Sequence, residues 1–252
     1  MTVQAPKILW DNRLADALAV ASSTAATYNV VNLSDWRAYT YWQPTSLPAT
    51  VTVNCGSAKA ADYGALYRHD LATQGVSVEV RGSTDNFSAN DVLLTSSTPT
   101  TDEPLLLPFN SASYQYWRWR FTGGANMPTI ALASIGAALT FELPVPYGFD
   151  PLGRKVVSAR NRSIAGWPLG TVLEFEEWSE SINARNASQT WLRNTFLPAW
   201  DAHLVAEPFL FAWDPGDHAS EIYLVNVSGE LRAPHRELGR CDVLFPVSGV
   251  VT

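Results

Sequence analysis

Several short segments between residues 1 and 146 alternate apolar and polar side chains with a period of two. Such alternation places the apolar residues on one face of a β-strand and the polar residues on the other. Turn-forming residues such as Gly, Asn, Asp and Ser separate these segments. Strands of this kind, each with one apolar face, predict two packed sheets. The clearest segments are 50–55, 76–81 and 116–121, and the turns are 54–57, 82–86 and 96–102.

Two further segments of this half have a weaker pattern. Residues 129–142 predict another strand, interrupted by Gly136. Residues 13–26 are rich in alanine and predict either a short helix or a loop, since Ser22, Ser23 and Thr24 follow the alanines. The N-terminal half is therefore predicted to be a jelly-roll-like β-sandwich.

A proline-rich segment predicts a domain boundary near the middle of the chain. Residues 144–151 contain Pro144, Pro146 and Pro151, and prolines at this density disfavour both helix and continuous strand. We therefore predict a sandwich domain over 1–146 and a second domain over 147–252.

The second half mixes strand and helix patterns and predicts a smaller α+β domain with an antiparallel sheet. A helix is expected from an N-cap at Asn186 or Ser188 to Phe196. Pro198 should end this helix, or should instead open a second short helix that runs to Leu204. The predicted strands are 171–178, 208–213, 221–227 and 241–247.

Composition and charge exclude several classes of protein. Apolar residues make up 46% of the chain and charged residues 16%, which excludes a disordered polypeptide. The formal net charge is −7 without a basic block, so nucleic acid is not an expected partner. Cys55, Cys241 and the four histidines match no metal-binding spacing, and no metal or cofactor is predicted. Without an apolar run of 18 residues or a signal-like N-terminus, we expect synthesis in the cytoplasm and no membrane insertion.

The motifs of common enzymes are missing from the sequence. There is no GxSxG, Walker A, GxGxxG or HExxH motif. The acidic cluster from Glu174 to Glu180 leaves glycoside hydrolysis open as an alternative, since two carboxylates facing one cleft are what that reaction needs. We predict a protein that is not an enzyme, without catalytic residues.

A characteristic order of strands lies in five segments of the N-terminal half: 36–42, 49–55, 62–69, 75–85 and 114–121. Over about residues 30–142 this order resembles the galactose-binding-like (discoidin-type) β-sandwich superfamily. That resemblance implies a site for sugars or lipid headgroups in loops at one end of the sandwich. The candidate ligand-binding residues are aromatic or hydrogen-bonding: Trp36, Tyr39, Tyr41, Trp42, Arg68 and His69. Alternatively, both tryptophans belong to the core and the Arg68–His69 pair makes only local contacts.

In the C-terminal half an arginine-rich extended stretch leads into a strand, and a helical segment precedes an apolar strand. The segments concerned are 148–166, 173–177, 191–200 and 208–215. They resemble tail-tip proteins of long-tailed phages, of the distal-tail or hub-adaptor type. This resemblance implies a structural subunit of the virion tail tip, assembled in the host cytoplasm, that forms a homo-oligomeric ring and connects the tail tube to the distal tip. Its expected partners are copies of itself and other tail proteins.

Clustered charges in this half supply a candidate assembly interface. A basic group precedes an acidic group, so the two can pair head-to-tail between copies and close a ring. Pairing within one chain, or solvation, is the alternative. We therefore predict a tail-tip ring subunit, with a carbohydrate-binding module that attaches to host surface glycans as the alternative. The interface candidates are Arg154, Lys155, Arg160, Arg162, Glu174 and Glu176.

Overall fold

The structure, a computed structural model, describes residues 4–250. Over these residues β-strands predominate, together with helix α1 (Leu71–Gln74), helix α2 (189–204) and two 3-10 turns, Arg13–Ala15 and Val30–Ser34. The strands are β1 (Lys7–Leu9), β2 (Val20–Ala21), β3 (Ala49–His69), β4 (Val76–Ser83), β5 (Val92–Ser97), β6 (Leu105–Gly123), β7 (Ile130–Gly136), β8 (Leu139–Thr140), β9 (Lys155–Arg162), β10 (Pro168–Ser188), β11 (Phe209–Ala212), β12 (Ile222–Val227) and β13 (Arg240–Val250).

The chain forms two compact units. The sandwich unit consists of Ile8–Leu139 and His218–Ile222, and the mixed unit contains the remaining described residues. The main division along the chain therefore falls between Leu139 and Thr140, whereas the sequence placed a boundary between residues 146 and 147. The domain assignment itself stays a prediction.

Two long strands organise the sandwich unit. The first half of β3 pairs antiparallel with the last part of β6, with Ala49 opposite Phe121. The second half of β3 pairs with β7 and with the beginning of β6. Irregularities in the pairing between Asn54 and Lys59 separate these halves. The sheet order is β2-β3-β6-β4-β5, with β7 added on β3.

The period-two pattern fixes which side chains fill the sandwich. Val51 and Val53 of β3 are buried against Trp117, Trp119 and Phe121 of β6. Their neighbours in sequence lie on the opposite, outer face of the same strands, as alternation requires. The predicted strands of this half are thus confirmed. In the segment 13–26, which the sequence left open, the structure has a 3-10 turn and the short strand β2.

The mixed unit combines an antiparallel sheet with one longer helix. Its sheet includes the order β11-β12-β13-β10-β9, which leaves β9 as an edge strand. Ser188 begins α2, because its side-chain oxygen accepts a hydrogen bond from the backbone N–H of Trp191 at 3.0 Å. Phe196 of α2 packs on Phe245 of β13, with ring centroids 5.5 Å apart. The predicted fold class, a β-sandwich followed by a smaller α+β part, is confirmed.

The expected end of the helix at Pro198 is wrong. Residues 189–204 form one continuous helix that contains π turns at Leu192–Phe196 and Trp200–Leu204. Proline has no N–H to donate, and its ring would clash with the carbonyl one turn earlier in a regular α-helix. The wider turn before Pro198 accommodates both features, so the helix continues through the proline.

Gly136 offers a test of the packing in the sandwich unit. A Cβ atom built on Gly136 would overlap the backbone carbonyl oxygen of Asp11, whereas a Cβ on Gly170 would meet no atom within 4 Å. We expect Gly136→Ala to lower the free energy of unfolding by about 1–3 kcal/mol through overpacking. Chemical denaturation of the full chain measures this, with Gly170→Ala as the neutral control. Equal stability of the two variants would contradict the close packing at Gly136.

Candidate functional site

A groove on the outer face of the sandwich unit offers a concave surface for a ligand. Its floor consists of polar residues that alternate with the buried core residues of β3 and β6. The register places Asn54 opposite Tyr116 and Thr52 opposite Arg118. Directly opposed residues on antiparallel strands point to the same face. These four side chains therefore form one continuous patch on a rigid sheet.

A segment that ends in β2 and the loop after β4 form the walls of this groove and give it depth. On one side the chain runs through Leu18 and Val20, whose side chains are well exposed. On the other side stands Asn86, in the loop that follows β4. The groove has a volume of about 460 Å³, which is within the range of small-molecule sites. The residues that line this outer groove are Ala17, Leu18, Val20, Ala21, Ser22, Thr50, Thr52, Asn54, Asn86, Tyr116 and Arg118.

Contacts on two sides hold the guanidinium group of Arg118 in place. Its Nε donates a hydrogen bond to the hydroxyl of Thr52 at 2.9 Å. Its Cζ lies 3.6 Å from the ring centroid of Phe87, a cation–π contact. Partial burial, together with the nearby positive charges of Arg81 and Arg120, lowers the pKa of Arg118 despite the opposing effect of Asp91. The side chain is therefore oriented in advance of any ligand.

The other charges on this face are already paired with one another. Arg81 contacts both Glu79 and Asp91, each at 2.7 Å, and Arg120 contacts Glu79 at 3.3 Å. Arg81 lies directly opposite Arg118 in the register of β4 and β6, so two like charges are neighbours. Over residues 4–250, no carboxylate forms an ion pair with Arg118. Three arginines thus share two carboxylates, and one positive charge remains uncompensated.

Asp85 shapes the loop that carries Asn86 and Phe87. Its carboxylate accepts hydrogen bonds from the Ser83 hydroxyl at 2.9 Å and from the backbone N–H of Ala89 at 2.9 Å. Asn86 and Phe87 both have positive φ, at 59° and 62°, which is unusual for a bulky residue such as phenylalanine. The loop therefore places the Phe87 ring over Arg118 at some cost in backbone strain.

The ligand-binding residues predicted from the sequence are partly inaccessible. Trp36, Trp42 and His69 are buried, and the indole N–H of Trp42 donates to Thr24 inside the sandwich unit. Trp42 and His69 both pair with Ile130, one on each side, so the structure does bring them to the same end of β7.

The remaining three predicted residues differ in exposure. Tyr39 and Arg68 are exposed, whereas Tyr41 is half-buried. A ligand at this end would therefore meet Tyr39 and Arg68 first. A glycan site in these loops stays a prediction.

The predicted assembly residues lie in the hairpin formed by β9 and β10. Arg154 donates to Glu176 at 2.9 Å, and Lys155 donates to Glu177 at 3.0 Å. These contacts are the pairing within one chain that the sequence had left open. Three more candidates, Arg160, Arg162 and Glu174, are exposed. The role of all six in assembly stays a prediction.

Sequence reasoning missed the outer groove, although one signal was available. Tyr116, Arg118 and Arg120 alternate with the buried Trp117 and Trp119, which places them on the outer face. That pattern gives the face but not the neighbours, because Thr52 and Phe87 come from distant parts of the chain.

Residues 4–250 contain neither a metal-binding cluster nor a membrane-spanning helix. Within 4–250, no group of three or more His, Cys, Asp or Glu side chains is arranged to hold a metal ion. Over the same range, no helix has the length and apolar character needed to span a bilayer.

Comparison with known proteins finds several carbohydrate-binding modules among the solved structures that are similar to this chain. No protein-family model matches the sequence. No curated protein matches it either. The module CpGH89CBM32-5 from Clostridium perfringens, solved with GalNAc-β-1,3-galactose, is similar to this chain with 17% identity and a TM-score of 0.42. The match covers 50% of this chain and 99% of that module.

Two further solved structures are similar to this chain to about the same degree. Chitosan-binding module 1 of a chitosanase/glucanase from Paenibacillus sp. IK-5 has 19% identity and a TM-score of 0.43, and it covers 49% of this chain and 97% of its own. A pectin-binding carbohydrate-binding module has 16% identity and a TM-score of 0.40, and it covers 54% of this chain and 93% of its own. The resemblance to phage tail-tip proteins stays a prediction.

Titration of Asp85 tests how the groove wall is held. The N–H group of Ala89, together with the Ser83 hydroxyl and the N–H groups of Asn90 and Ser88, lowers the pKa of Asp85 below its ordinary value of 3.8. These bonds require the charged carboxylate, so they persist at neutral pH and are lost as the pH falls through the lowered pKa. We expect the NMR shifts of the Ala89 and Asn90 amides to titrate with a midpoint below 3.8.

The variant Asp85→Asn is the control, since it removes the titrating group and should abolish this transition. A midpoint at or above 3.8 in the unmodified protein would contradict the proposed support of the loop.

Proposed function

We propose that this protein is a carbohydrate-binding module and that the outer groove is its binding site. The observation that carries the proposal is a concave, rigid floor on which Thr52, Asn54, Tyr116 and Arg118 lie side by side. Sugars present hydroxyl groups around their rims and C–H patches on their faces. A floor with hydroxyl, amide and guanidinium groups beside one aromatic ring matches both kinds of surface.

Rigidity of the floor favours binding at low entropic cost. Thr52, Asn54 and Tyr116 stand on paired strands of a sheet, and Arg118 is fixed by Thr52 and Phe87. Side chains that are already ordered lose little freedom when a ligand arrives.

Binding without cleavage fits the lining of the groove better than hydrolysis does. Glycoside hydrolysis generally uses two carboxylates that flank the scissile bond. Among the described residues that line the outer groove, none is Asp or Glu. Glu174 and Glu176, the residues considered for catalysis in the sequence, belong to the β9–β10 hairpin in the mixed unit.

A second function, assembly of copies in a phage tail tip, is favoured by a different observation. The distal part of the β9–β10 hairpin, residues 155–175 and here called the arm, exposes large apolar side chains. At its turn Ile164, Trp167 and Leu169 are all at least 70% exposed. Val172 and Leu173 are also exposed, and consecutive strand residues point to opposite faces. The arm therefore presents apolar surface on both faces, a feature that marks interaction sites.

The proposed partner of the arm is a neighbouring copy in a ring, alongside other tail proteins. The arm has only basic charges between residues 156 and 173, namely Arg160 and Arg162, whereas the whole chain has a net charge of −7. A second copy supplies the opposite charge. Such a ring in a virion would also present many grooves at once and raise the avidity for host surface glycans.

Replacement of Tyr116 tests the glycan site. We expect Tyr116→Ala to weaken binding of the purified full chain to its best ligand on a glycan array by about tenfold or more, since an aromatic contact and a hydroxyl are both lost. Calorimetry with that glycan provides the measurement, and thermal unfolding shows that the variant is folded.

Tyr39→Ala is the matched control, because Tyr39 is an exposed tyrosine in the loop that the sequence singled out. Loss of binding in Tyr39→Ala but not in Tyr116→Ala would move the site to that loop. Absence of binding to any glycan would overturn the proposed function.

Replacement of the arm's apolar turn tests assembly. We expect the unmodified chain to form a species larger than one chain, measured by size-exclusion chromatography with light scattering. The double variant Ile164→Ser, Trp167→Ser should dissociate it, because a buried interface tryptophan typically contributes about 2 kcal/mol or more.

Val205→Ser is the control for assembly, since Val205 is an exposed apolar residue outside the arm. A single-chain mass for the unmodified protein at all concentrations would rule out self-assembly through the arm.

A further inference from the structure

We infer that the outer groove selects an acidic sugar, whose carboxylate pairs with Arg118. This inference rests on the proposed carbohydrate-binding function and adds the chemical class of the ligand. It starts from the charges on the outer face, where Arg81, Arg118 and Arg120 share only Glu79 and Asp91. The unpaired guanidinium is the one that reaches the groove.

Arg118 retains most of its capacity to donate hydrogen bonds. A guanidinium has five N–H donors, and in the described structure only the Nε group donates to a protein acceptor, the Thr52 hydroxyl. Phe87 covers one face of the group, while hydrogen bonds to a carboxylate form at the edge. The two contacts therefore orient the guanidinium without consuming the donors that a bidentate carboxylate pair requires.

Partial burial strengthens this preference for an anion. Arg118 is half-buried, and its positive charge is destabilised by Arg81, its direct neighbour across the strands. A ligand carboxylate would relieve that repulsion and would interact through a medium less polar than bulk water. A neutral sugar would leave the charge uncompensated.

The neighbours of Arg118 favour a sugar carboxylate over a polyanion. Thr52, Asn54 and Tyr116 are uncharged hydrogen-bonding groups suited to hydroxyls, and the face has one uncompensated positive charge. A nucleic acid needs several phosphate contacts, and the chain's net charge of −7 would repel it. One carboxylate for each bound sugar, as in a uronic acid or a sialic acid, matches the single available charge.

The test compares matched acidic and neutral sugars on the full chain. Calorimetry would use oligogalacturonate against its methyl ester, and sialyllactose against lactose. We expect the acidic member of at least one pair to bind about tenfold tighter or more, and this advantage to shrink as salt is raised. Arg118→Gln should remove the advantage, so that the acidic and neutral members of the pair bind with the same affinity.

Arg120→Gln is the matched control, since Arg120 lies on the same strand and face but is paired with Glu79. It should keep the preference for the acidic sugar. Equal affinity for both members of each pair would overturn the inference and leave carbohydrate binding intact. Binding of neither member, in a protein that binds no glycan on an array, would overturn the proposed function as well. Preference retained in a folded Arg118→Gln variant would also overturn the inference.

Discussion

Pairing of the first half of β3 with the last part of β6 in a fixed register is the constraint on which the sandwich unit and its groove both depend. With Val51 opposite Trp119 and Thr52 opposite Arg118, one face of the pair is entirely core and the other entirely surface. A slip of a single residue would exchange these faces and bury an arginine. The burial of Trp119 therefore also fixes the position of Arg118, so the packing of the core determines the geometry of the outer groove.

The outer face tolerates two opposed arginines only because carboxylates surround one of them. Arg81 and Arg118 are cross-strand neighbours, an arrangement that is destabilising on its own. Glu79 and Asp91 neutralise Arg81 and leave Arg118 to the ring of Phe87 and the hydroxyl of Thr52. An aromatic ring attracts a cation without neutralising it. The result is a charge that is positioned but still available to an anion.

Alternation along the chain predicted the strands well, because it depends only on neighbours in sequence. It placed Val51, Val53, Trp117 and Trp119 in the core, where the structure has them. It could not show that the loop carrying Phe87 returns over β6, since that contact joins residues about 30 positions apart. Aromatic content was a poorer guide. Trp42 is large and apolar enough to fill a core, and composition alone does not distinguish that role from sugar binding.

Helix α2 illustrates a different limit of local reasoning. Because proline disrupts a regular α-helix, the sequence predicted that the helix ends at Pro198. The π turn at Leu192–Phe196 changes the backbone geometry that this prediction assumes. The outer groove was missed for a related reason. Its floor was visible as alternating residues, whereas its walls at Leu18 and Asn86 arise only from tertiary contacts.

The groove and the arm differ in how their charges are satisfied, and this difference separates the partners that each can bind. At the base of the arm, Arg154 and Lys155 are neutralised by Glu176 and Glu177. What the arm offers to a partner is chiefly apolar surface, whose burial is favourable and non-directional. The groove offers one oriented charge among hydrogen-bonding groups, and this arrangement favours the binding of a small polar ligand of matching geometry. A glycan fits the groove and not the arm, so the two functions proposed for this chain need not compete for the same residues.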